Sequence, residues 1–143
     1  MMYKNAAKTA ETYRIQQVMT ATPAELTLML YNGAVKFTNE AIKGLQERDY
    51  ERKNTNCIKA QNIISEFQAT LKMDYDFCTA WMAVYDYIKK CLIEGNISND
   101  VNKLEEAKGL ILELRDTWHQ AMKIDKANKA EAAMQTDTSG IAK

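Results

Sequence analysis

Chain breakers are scarce: one proline, Pro23, and five glycines stand in 143 residues. That scarcity argues against the many tight turns of an all-β fold and leaves helices joined by short loops as the natural alternative. Net charge is lacking too, since 19 Lys and Arg face 19 Asp and Glu, so no field draws the chain to nucleic acid or an acidic membrane surface. No stretch approaches the roughly 20 apolar residues of a membrane span. The opening "MMYKNAAKTAETYRIQQ" is polar and broken by charge, unlike a secretion signal. The cysteines, Cys57, Cys78 and Cys91, are odd in number and sit among apolar residues at helical intervals. They are expected as small buried hydrophobes in a reducing cytoplasm, not as a zinc site or disulfide framework.

Histidine is scarcer still. Asp116 and the single histidine, His119, lie three apart like half of a metal site in a helical bundle, but no second pair completes it. One histidine with no glycine-rich strand-turn-helix elbow leaves nucleophilic catalysis without a context. Gly33, Gly44, Gly95 and Gly109 are isolated, so nothing cradles a phosphate. The expectation is a protein that is not an enzyme and that carries no metal and no cofactor.

What the chain does contain is helical periodicity. Thr22-Pro23-Ala24-Glu25 combines a threonine cap, proline at the first helical position and a glutamate placed for a capping box. Leu26, Leu30, Ala34, Phe37, Ala41 and Leu45 then line one face of a helix expected over 23–47. Asp49 is the expected cap of a second helix, whose stripe is Tyr50, Cys57, Ala60, Ile64, Phe67 and Leu71 and which reaches Lys72. A third carries Phe77, Trp81, Val84, Ile88 and Cys91 and is expected to end at Gly95 and Asn96. The fourth starts near Ser98 or Asn99, follows Val101, Leu104, Ala107, Ile111, Leu114, Trp118 and Ala121, and fades near Lys123.

Helices of this length with very short connections must alternate in direction. The expected fold is all-α: an antiparallel up-and-down four-helix bundle over 20–123. Residues 1–19 precede it as a mobile segment or short docking helix containing Tyr13, Ile15 and Val18, and 124–143 follow as a disordered tail poor in large apolar residues. The first long helix also has a second apolar line, Leu28, Tyr31, Val35 and Ile42, and the third adds Met82, Tyr85 and Leu92. A second line marks either a central helix touched on several sides or a groove that takes in a partner helix.

"YRIQQVMTATPAELTLMLYNG" from Tyr13 to Gly33 closely resembles the start of the flagellar secretion chaperone family, FliS. "RKNTNCIKAQNIISEFQATL" from Arg52, "VYDYIKKCLIEGNISND" from Val84 and "LELRDTWHQAM" from Leu112 match the family in the same order. The resemblance implies a monomeric or weakly dimeric cytoplasmic bundle that binds the disordered carboxyl-terminal segment of flagellin and meets the flagellar export gate. The implied client groove comprises Leu28, Tyr31, Val35, Ile64, Phe67, Leu71, Met82 and Tyr85, each of which is equally readable as core. Tyr13, with Ile15 and Val18, is implied as a gate over that groove, against the plainer reading of a helix that seals one end of the core. Cys57, Cys91 and His119 depart from the residues usual in the family. Two readings from other classes stand beside this one: a structural homodimer and a metal-binding bundle.

Overall fold

The computed structural model describes the backbone of residues 2–71 and 76–141, and the side chains of 6–71 and 79–135. It is all-α, with α1 Met2–Thr20, α2 Pro23–Gln46, α3 Tyr50–Thr70, α4 Asp76–Ser98 and α5 Val101–Ile141. Helices α2 to α5 form the bundle, each packed on its neighbours in the ring α2–α3–α4–α5–α2. The core side chains sit at helical spacing: Ala34, Ala41, Cys57, Ala60, Ile64, Ile88, Cys91, Leu92, Leu104, Ala107 and Ile111 are buried. Complete burial of one of the isoleucines or leucines is worth about 1.5–3 kcal/mol.

The helix starts follow local chemistry. Thr22 Oγ1 accepts from Glu25 N at 3.2 Å while Glu25 Oε2 accepts from Thr22 N at 3.4 Å, completing the expected capping box. Asp49 Oδ1 accepts from Arg52 N at 3.1 Å, as a cap residue should. The helix ends differ from expectation. Gly95 and Asn96 lie inside α4, and the left-handed residue after it is Asn99 (φ 52°), matched by Arg48 (φ 58°) after α2.

Both hairpins turn on one device. In "GLQERD" Asp49 N donates to Gly44 O at 2.7 Å, and in "GNISND" Asp100 N donates to Gly95 O at 3.0 Å. This is the six-residue closure of a Schellman turn. The aspartate that closes each turn also opens the next helix, so direction reverses within two residues. Glycine is needed for approach here, not for dihedral freedom. A Cβ on Gly44 would lie 2.8 Å from Lys53 N, and one on Gly95 would lie 2.6 Å from Leu104 Cδ2.

Lys53 joins the two turns. It is 7% exposed, and its Nζ crosses from α3 to donate to Asn96 O at 2.7 Å and Asn99 Oδ1 at 2.5 Å. A cation on the last carbonyls of α4 also meets the negative end of that helix dipole. Beside it, Arg52 ties α3 to α2 through Glu40 (2.6 Å) and Glu47 (2.9 Å), and its hydrogen bond holds the Glu40 carboxyl below the usual range.

Two helical segments flank the packed bundle. The N-terminal segment is a 19-residue helix, α1, whose described side chains from Ala6 to Thr20 are all exposed, so it does not dock on the core. The tail is not a break in structure: α5 continues to Ile141, although the side chains of 123–135 are exposed. No glycine or proline interrupts 110–139, and "KANKAEAA" is rich in strong helix formers, so local propensity carries the helix past the point where packing ends. The apolar stripe of α2 also shifts. Leu26 and Leu30 are more than a third exposed, while Tyr31 and Ile42 from the second line belong to the core. Tyr50 is likewise exposed. Cys57 and Cys91 are buried, as expected; the side chains of Cys78 and Phe77 lie outside the described residues.

Candidate functional site: an aromatic cleft at one end of the bundle

The end of the bundle opposite the two turns is built from the start of α2, the end of α3, the start of α4 and the middle of α5. Four chain directions meet there, and large rings replace the small residues of the other end. Tyr31 on α2 stacks on Phe67 of α3 with centroids 4.4 Å apart, and Phe67 stacks on Tyr85 of α4 at 5.8 Å. Trp81 meets Tyr85 edge-on at 6.3 Å. The phenol oxygens of Tyr31 and Tyr85 lie 2.7 Å apart, joining diagonally opposed helices through the centre. Trp118 on α5 donates its indole N–H to Ala24 O at 3.0 Å, tying α5 to the first turn of α2.

Bulky rings at staggered heights leave a cleft between them. It has a volume of about 400 Å³ and is lined by Thr27, Tyr31, Phe67, Thr70, Leu71, Trp81, Tyr85, Thr117, Trp118 and Ala121. Its three threonines donate to carbonyls of their own helices: Thr27 to Pro23, Thr70 to Glu66 and Thr117 to Glu113. Each hydroxyl is thereby occupied locally. Polar ties flank the rim, Gln68 Nε2 donating to Asp86 Oδ1 at 2.5 Å and Arg115 Nη1 to Asn32 Oδ1 at 3.4 Å.

Among the described residues the lining includes no carboxylate, imidazole or ammonium group. Burial raises the Tyr31 and Tyr85 phenols above their usual pKa, so both hydroxyls stay protonated across working pH. The cleft therefore offers water-excluding aromatic walls to an apolar occupant, with hydroxyls as its polar handles. Among the described residues no group of three or more His, Cys, Asp or Glu is arranged to hold a metal ion. His119 and Asp116 are both exposed, and Asp116 is paired with Arg115 at 3.1 Å.

Of the eight groove residues expected from sequence, the cleft brings together Tyr31, Phe67, Leu71 and Tyr85. Ile64 is fully buried. Leu28, Val35 and Met82 are half-buried and line no part of the cleft. Tyr13, Ile15 and Val18 lie on α1, each more than half exposed and away from the cleft. Sequence reasoning missed Trp81 and Trp118 as cleft residues because it assigned both to core stripes. The usable signal was their position: each stands at the edge of its stripe, where antiparallel pairing puts it level with Tyr31.

An antiparallel four-helix bundle that opens an aromatic cleft between its helices, with no charged side chain among the described lining residues, defines the class: a helical binding protein. The family model described as Flagellar protein FliS matches residues 5–125, and the chain belongs to that family of flagellar secretion chaperones. The chain is 44% identical over 117 residues to the flagellar secretion chaperone FliS of Bacillus subtilis (strain 168), covering 82% of this chain and 88% of that one. It is 32% identical over 106 residues to the FliS chaperone of Salmonella typhimurium (strain LT2), covering 72% and 78%. A crystal structure of a flagellar chaperone from bacteria superposes with a TM-score of 0.66 at 17% identity, covering 82% of this chain and 98% of that one, and supports the fold. Among the described residues no helix is long and apolar enough to cross a membrane.

Proposed function

We propose that this chain is a cytoplasmic export chaperone that holds the carboxyl-terminal segment of flagellin and delivers it to the flagellar export apparatus. The aromatic cleft is the observation that carries this reading. A segment that is disordered when free can fold an amphipathic helix onto such a surface, a helix-in-groove mode in which ordering the client offsets part of the contact energy. Flagellin assembles through helical packing of its terminal segments, so covering their apolar faces withholds the client from polymerisation. Holding needs no nucleotide, in keeping with a cleft whose ionisable groups, among the described residues, are protonated phenols.

The exposed apolar residues of α1 favour a second role for that helix. Tyr13, Ile15, Val18 and Met19 have no partners in the core, and α1 connects through Ala21 and Thr22 directly to the cleft end of α2. In this reading α1 is a gate that can swing over the groove and that yields to an arriving client. Leu28, Val35, Ile64 and Met82 then serve the groove from its flank or its floor.

Titration calorimetry with a peptide spanning the carboxyl-terminal segment of flagellin tests the reading, with circular dichroism alongside. The expected result is sub-micromolar binding, a gain of helix and a negative heat-capacity change. A soluble, intact peptide that does not bind would refute it, and a tight dimer across dilution in the same experiment would favour the homodimer.

A further inference from the structure

Among the described residues the hydroxyl groups of the cleft can be accounted for one by one. Thr27, Thr70 and Thr117 each donate to a carbonyl of their own helix, and the indole of Trp118 donates to Ala24 O. Tyr31 and Tyr85 share one short contact, and among the described residues neither phenol has a second partner. Two hydroxyls in a single O–H···O bond use one hydrogen between them and leave the other over. The phenols are only 1% and 3% exposed, yet both line the cleft. When an occupant expels water from the cleft, that second hydrogen either finds an acceptor on the occupant or is buried without one, which is costly.

We infer that the Tyr31–Tyr85 pair selects the anchor residue of the bound client: a helical segment presenting the amide oxygen of an Asn or Gln side chain among apolar neighbours. This rests on the client reading above and specifies the chemistry of its site. Main-chain carbonyls of a helical client are engaged within its own helix, so the acceptor must come from a side chain. A carboxylate would have to shed its hydration among aromatic walls with no cation among the described lining residues, a far larger cost than for a neutral amide. Tyr31 and Tyr85 are almost fully buried, so the acceptor needs reach, which an extended amide has.

The test is a titration series with the carboxyl-terminal flagellin peptide in which each Asn and Gln is replaced in turn by Leu. The protein is used in wild-type, Y31F, Y85F and Y31F/Y85F forms, each checked for folding by thermal melting. One amide position should cost the wild type about tenfold in affinity and cost the double variant about twofold or less. Each single variant keeps one phenol hydrogen and should retain the selectivity. A merely structural role for the phenols would shift all peptides alike and would not single out one position. Binding of the parent peptide with a flat series overturns this inference alone. Failure of the parent peptide to bind refutes the client reading, and this inference falls with it. Should the double variant not fold, the wild-type series decides by itself: a tenfold position supports the selection, and a flat series overturns it.

Discussion

Replacing Gly44 by alanine puts the turn geometry to a direct test. Gly44 is buried in the last turns of α2, and a Cβ there would lie 2.8 Å from Lys53 N, 3.0 Å from Asp49 O and 3.2 Å from Lys53 Cα. All three are main-chain atoms at the start of α3, so no side chain can swing aside; relief requires α3 to move away from α2. By helix propensity alone, Gly→Ala should stabilise by about 1 kcal/mol. Overpacking costs about 1–3 kcal/mol, and the backbone shift required here puts the cost at the top of that range, so after the propensity gain the net expectation is a loss of about 2 kcal/mol. Gly109 is the control. It also lies within a helix, and a Cβ there meets nothing within 4 Å, so Gly109→Ala should stabilise by about 0.5–1 kcal/mol. Urea melts followed by circular dichroism measure both. Gly44→Ala at or above wild-type stability would refute the close-approach argument, as would equal losses in the two variants.

Lys53→Met keeps the apolar stem but removes the bonds to Asn96 and Asn99, and should cost about 2–3 kcal/mol in the same melts; a change near zero would show that the buried ammonium does not join the turns. Burial raises the Cys57 thiol from 9.0 to about 11. Unfolded thiols release their proton first, so the unfolded state binds fewer protons and stability falls with rising pH: full below pH 9, and about 2–3 kcal/mol lower once the pH has passed 11. Denaturation midpoints across that window should fall less steeply in Cys57→Ala, and an unchanged slope would remove the thiol as the cause. Tyr13→Ala should leave stability within about 0.5 kcal/mol, because the side chain is 64% exposed, while altering affinity for the flagellin peptide; equal losses in both would sink the gating role.

Local chemistry made the helix starts legible, because a capping box and an aspartate cap involve residues three apart. The stripe of α5 was legible as well, with Leu104, Ala107 and Ile111 all buried. The stop of α4 was not. Gly95 reads as a helix terminator in isolation, but it serves the approach of Leu104, and the turn itself falls on Asn99. Where one apolar line ends and another begins on α2 was also hidden, since Leu30 and Tyr31 are adjacent and the choice of buried neighbour depends on what α3 and α4 present. The cleft was half legible: Tyr31, Phe67, Leu71 and Tyr85 carried a signal through the second apolar line and the family pattern. Trp81 and Trp118 join them only through the relative heights of four helices, a tertiary quantity that no single-helix period contains.

The two matched turns and the lysine between them have a mechanical consequence. They act as the spring of a clothes-peg, fastening both hairpins at one end with main-chain contacts that leave no slack. The jaws at the other end meet through side chains: ring stacks, the phenol pair, the Trp118 indole on Ala24 O and the Gln68–Asp86 and Arg115–Asn32 ties. The two ends are thus held by unlike means, main-chain closure at one and side-chain contact at the other, and it is the side-chain end that repacks without unwinding a helix or undoing a turn.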